Sequence, residues 1–100
     1  IVNQPIAEVD WDDCFHGEGP LTAIYTAGGK GVRLEIGEGL NWVQMFTPAD
    51  FPREQGPGKA LAVEPMSAPP NALRSREDLA RLSAQNPQTY TLLLAAENNN

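Results

Sequence analysis

The chain has 100 residues, thirteen acidic against seven basic, for a formal net charge of −6, and its 41% hydrophobic content with nine glycines and nine prolines is that of a folded, turn-rich domain. The basic residues Lys30, Arg33, Arg53, Lys59, Arg74, Arg76 and Arg81 are scattered, which argues against nucleic acid and anionic membrane as partners. A lone Cys14 excludes an internal disulfide framework and fits a reducing, cytoplasmic setting, and no apolar run reaches transmembrane length.

The first twenty residues, IVNQPIAEVDWDDCFHGEGP, have no clear period and read as an irregular lead-in. They hold Asp10, Asp12, Asp13 and His16, which lack the alternating oxygen ligands and closing glutamate of a calcium loop. His16 with Cys14 alone is too few ligands for zinc, so no metal is expected. Cys14 reads as a small buried residue, since no base partner can be assigned to it.

LTAIYTA (21–27) and GVRLEIG (31–37) flank Gly28-Gly29-Lys30, and Val32, Leu34 and Ile36 alternate with Arg33 and Glu35. This spacing predicts a β-hairpin with one buried face, and the hairpin turn accounts for the glycines better than a phosphate loop does. LNWVQMFT (40–47) is apolar on both parities, as in a strand covered on two sides, and Pro48 ends it. Within it, Gln44 is either a satisfied structural amide or a ligand contact.

FPREQGPG (51–58) reads as a loop and KALAVE (59–64) as a further buried strand ending on Glu64, before Pro65, Pro69 and Pro70. Burial raises the pKa of a carboxylate toward the range of a general base, so Glu64 is a candidate base; the other reading is an ion pair with Arg53 or Arg74. SREDLARLSA (75–84) carries helix signals, with Ser75 as N-cap and Leu79 and Leu82 three apart, or is an extended edge segment. TYTLLLAA (89–96) reads as a last strand and residues 97–100 as a frayed tail.

These elements predict one all-β domain over 1–100, an antiparallel β-sandwich or part of one. A domain this short buries a modest share of its surface, and its two-sided apolar strands need cover, so a homo-oligomer or a missing N-terminal segment is expected.

VDWDDCF, WVQMFTP and AVEPMSAPPNAL, in this order, resemble the C-terminal third of the aldose 1-epimerase (galactose mutarotase) family, over most of residues 5–95. The resemblance implies part of a large antiparallel supersandwich that binds a free hexose in an open cleft. By motif position it implies Glu64 as the general base on the anomeric hydroxyl, with Asp12 and Gln44 as sugar-binding residues. The implied chemistry interconverts α and β anomers by ring opening and needs no cofactor. The family's acid histidine belongs to upstream motifs that this sequence does not contain, and His16 does not fall at that position. A sugar-binding or structural remnant without catalysis is the alternative expectation.

Overall fold

The computed structural model describes residues 3–98. Six strands, β1 (Asp12–His16), β2 (Leu21–Ala27), β3 (Lys30–Ile36), β4 (Trp42–Phe46), β5 (Ala62–Met66) and β6 (Leu92–Asn98), form two three-stranded antiparallel sheets, β1-β4-β5 and β2-β3-β6. The architecture is all-β and consistent with a β-sandwich. Among the described residues no helix is long and apolar enough to cross a membrane.

The expected hairpin is β2–β3, but the face expected to be buried is covered only at one end, with Ile36 2% exposed and Val32 45%. Its two linking glycines, Gly28 (φ 58°) and Gly29 (φ 79°), occupy the left-handed region that a two-residue turn between twisted strands demands. Side-chain alternation then places Leu21, Ala23, Tyr25, Val32, Leu34, Ile36, Leu92, Leu94 and Ala96 in three cross-strand rows on one face. Arg33, Glu35 and Glu97 lie on the other, where Arg33 pairs with Glu97 at 2.6 Å and Glu35 at 3.2 Å.

In the first sheet the central strand is β4. Val43 and Met45 point toward the second sheet, and the core forms where Ile36, Leu40 and Val43 meet, flanked by Leu21, Leu34, Met45 and Val63. The crossing between sheets, residues 37–41, is pinned at both ends: Gly17 N–H donates to the Asn41 carbonyl and Gly37 N–H to the Thr91 carbonyl, each at 2.9 Å. A Cβ on Gly37 would fall 2.9 Å from the Thr91 carbonyl oxygen, so only glycine lets the chain pass this close to the β6 lead-in. Thr47, buried at 3% exposure, extends the β1–β4 ladder: its N–H donates to the Trp11 carbonyl (2.9 Å) and its hydroxyl accepts from the Trp11 N–H (2.8 Å).

Five other expectations change. The lead-in is not irregular throughout, because residues 12–16 form β1. The strand read at 59–64 lies at 62–66, so Glu64 stands at its middle and Pro65 within it; β5 is a sheet edge, where a missing N–H is tolerated. The helix read at 75–84 is absent: one turn, α1 (Ala72–Ser75), precedes a run of turns in which Leu82 stays 69% exposed. Glu97 and Asn98 belong to β6, while Asn99 and Asn100 lie outside the described residues. The two-sided cover expected for residues 40–47 is incomplete, since Phe46 is exposed.

The core contact is testable. Ile36→Ala is expected to lower unfolding free energy by about 2–4 kcal/mol, whereas Leu73→Ala, at a site 88% exposed, is expected to change it by less than about 0.5 kcal/mol. Urea melts of the two variants decide.

Candidate functional site

The inward placement of Val43, Met45 and Val63 turns every alternate residue of the first sheet outward, and the outward set contains Asp12, Gln44 and Glu64. Three residues from three separate sequence motifs thus share one face. Gln44 stands at the centre of the grid, directly across from Cys14 on β1 and Glu64 on β5. Its amide Nε2 donates to Asp12 Oδ1 at 2.9 Å, a diagonal cross-strand contact. Its Oε1 is shielded from solvent and has no hydrogen-bond partner among the described residues.

Glu64 is exposed, which removes the desolvation on which its reading as a buried base rested. Its strand is an edge and its side chain leaves the sheet on the face away from the core, so nothing apolar encloses it. It forms no ion pair with Arg53 or Arg74.

Trp42 and His16, opposite each other in register, occupy the next outward row, with ring centroids 4.4 Å apart at a 45° tilt. Trp42 Nε1 donates to Asp78 Oδ2 at 2.8 Å, which draws the segment after α1 onto this face. Arg76 (φ 65°) and Asp78 (φ 51°) both hold left-handed backbone conformations, a strained path for non-glycine residues. The neighbouring Glu77 lies close enough to act on Cys14, whose thiol pKa is raised chiefly by burial and secondarily by the Glu77 charge.

Chemically, the face offers carboxylate and amide acceptors, one amide donor and an indole whose orientation is fixed by a ring on one side and a carboxylate on its N–H. Asp12 and Asp13 are adjacent in β1 and therefore point to opposite sides of the sheet, so they cannot grip one ion together. Among the described residues no three His, Cys, Asp or Glu side chains converge in a metal-holding arrangement.

A separate cavity lies elsewhere. A cleft of about 840 Å³ opens between the sheets, lined by Trp11, Phe15, Tyr25, Leu34, Met45 and Val63 among others, and none of Asp12, Gln44 or Glu64 reaches it. Sequence reasoning passed over Trp42 and Asp78. Trp42 carried a usable signal, being two residues before Gln44 and so on the same strand face. Asp78 carried none, since its contact with Trp42 spans 36 positions.

No family model, curated protein or solved structure matches the chain.

The Cys14 environment yields a measurement. At pH 8 the thiol is expected to alkylate more slowly than a free cysteine in the unfolded chain, because its raised pKa leaves less thiolate. Glu77→Gln removes the secondary cause and is expected to quicken the reaction, with the rate-against-pH curve moving to lower pH. An unmoved curve would remove Glu77 from the surroundings of this face.

Proposed function

We propose that the outer face of the first sheet binds a free hexose through Asp12, Gln44 and Glu64, and that the chain is a carbohydrate-binding relative of the aldose 1-epimerases working in a reducing, cytoplasmic setting. The observation that carries this reading is the convergence of Asp12, Gln44 and Glu64 on one face, with Asp12 already bonded to Gln44. Their sequence motifs are well separated, and only the strand register brings them together.

The arrangement suits a polyol. Adjacent strands are about 4.8 Å apart, so a ring above Gln44 spans the distance from the β1 carboxylate to the β5 carboxylate. Sugar hydroxyls donate to Asp12 and Glu64, while the apolar C–H face of a pyranose has Trp42 beside it. In the epimerase reading, Glu64 takes the proton from the C1 hydroxyl as an acid protonates the ring oxygen; the ring opens, the aldehyde carbon rotates, and reclosure gives the other anomer. That acid belongs to the family's upstream histidine motifs. Anomer interconversion by this chain alone is therefore weak or absent.

One observation favours binding without catalysis as the second reading: Glu64 stands in solvent, lacking the enclosure that general-base work draws on.

Titration with D-galactose and D-glucose, followed by amide chemical shifts, is expected to perturb residues of β1, β4 and β5. Asp12→Asn, Gln44→Ala and Glu64→Gln are each expected to weaken binding by about tenfold or more. In polarimetry, any acceleration of mutarotation by the chain is expected to fall by about 10²-fold or more in Glu64→Gln. Shifts confined to the inter-sheet cleft, or affinities untouched by all three substitutions, would overturn the proposal.

A further inference from the structure

The chain exposes 7592 Å², whereas a folded monomer of its 10.8 kDa mass exposes about 5,500 Å². Its radius of gyration is 15.7 Å, against about 13 Å for a compact chain of this length. About 2,000 Å² of surface is thus in excess, and large hydrophobic side chains are among the exposed residues. The core cluster is confined to Ile36, Leu40 and Val43, and much of the inner face of β2-β3-β6 is uncovered: Tyr25 is 43%, Val32 45%, Leu92 56% and Leu94 70% exposed.

Magnitude separates the possible occupants. A small aliphatic ligand in the cleft has on the order of a few hundred Å² to bury. An obligate protein interface buries about 2,000–5,000 Å² in total, or half that per partner, which is the scale of the excess.

Charge points to the kind of protein. The nine residues in the three inner-face rows, from Leu21 to Ala96, are all uncharged, and the only charge on that face of the strands is Lys30 at the hairpin end. Arg53 and Lys59 line the cleft and form no ion pair among the described residues. An uncharged apolar face of this extent is complementary to another apolar protein face, and the matching face of a second copy supplies one. The β6 edge adds three exposed leucines, Leu92, Leu93 and Leu94, with no lysine or proline to block strand addition.

We infer that the inner face of β2-β3-β6, centred on Val32 and Leu94, is the interface of a homodimer, covered by the same face of a second copy. A twofold contact of this kind sets Leu94 and Val32 against their counterparts. The candidate sugar face lies on the far side of the first sheet and stays open, so the inference stands independently of the function proposed above.

Sedimentation velocity between 1 and 100 µM tests it. The chain is expected to sediment as a dimer, and Leu94→Glu is expected to raise the dissociation constant by about 100-fold or more, because two like charges meet at the symmetric contact. Leu73→Glu, on α1, is expected to leave association unchanged. Leu94 is already largely exposed, so the substitution spares the single-chain fold, which circular dichroism checks; Val32→Glu provides a second variant on the same face. In the wild-type chain, amide hydrogen exchange over residues 30–34 and 92–96 is expected to slow as concentration rises. A monomer at 100 µM, whether or not it takes up oleate in the cleft, overturns the inference. So does a Leu94→Glu variant that associates like the wild type, or a Leu73→Glu variant that dissociates equally.

Discussion

Everything in this molecule hangs on the contact at which Ile36, Leu40 and Val43 join two sheets, neither of which has a second layer of its own. A three-stranded sheet needs a covered apolar face to persist in water. Here Ile36 is the last residue of β3, Val43 is the second of β4, and Leu40 sits in the short crossing between them, so the contact forms where the chain passes from one sheet to the other. The crossing is too short to let the strand ends part. Among the described residues the buried cluster joining the sheets is confined to this contact.

The polar face is a by-product of that apolar contact. With Val43 and Met45 committed inward, the period of two leaves Trp42, Gln44 and Phe46 no choice but to face outward. The register with β1 and β5 then sets Asp12 and Glu64 on the same side as Gln44. A slip of one residue in β4 would exchange the two sets, burying an amide and exposing the core. Packing and chemistry are therefore specified by one register.

The hairpin was legible because its information is local: alternating apolar residues on either side of paired glycines that must adopt positive φ. Strand β4 was legible from its length of apolar sequence and from Pro48. By contrast, Asp-Asp-Cys-Phe-His has no strand period, and β1 exists because Cys14 and Phe15 pair with Gln44 and Val43, residues remote in sequence. Pro65 was misread as a stop because the rule against proline applies to central strands, and β5 is an edge. The helix expected at 75–84 failed for want of a surface: Leu82 has nothing to bury against, and a short isolated helix is marginal on propensity alone. Of the candidate site, the motifs supplied Asp12, Gln44 and Glu64, but their mutual geometry depended on strand pairing, and the Trp42–Asp78 hydrogen bond on a tertiary contact with no local trace.

The strand order also sets a timetable. Strands β2 and β3 meet across two residues and can pair within microseconds, whereas His16 must find Trp42 with that hairpin looped out between them, and Leu34 must wait for Leu94. During synthesis the first sheet is complete once β5 has emerged; the second still lacks its last strand until β6 follows. For that interval β3 presents a bare edge, Val32 and Leu34 included, beside a finished neighbour. A ribosome that pauses between β5 and β6 would hold a half-closed protein with one edge of β3 unpaired.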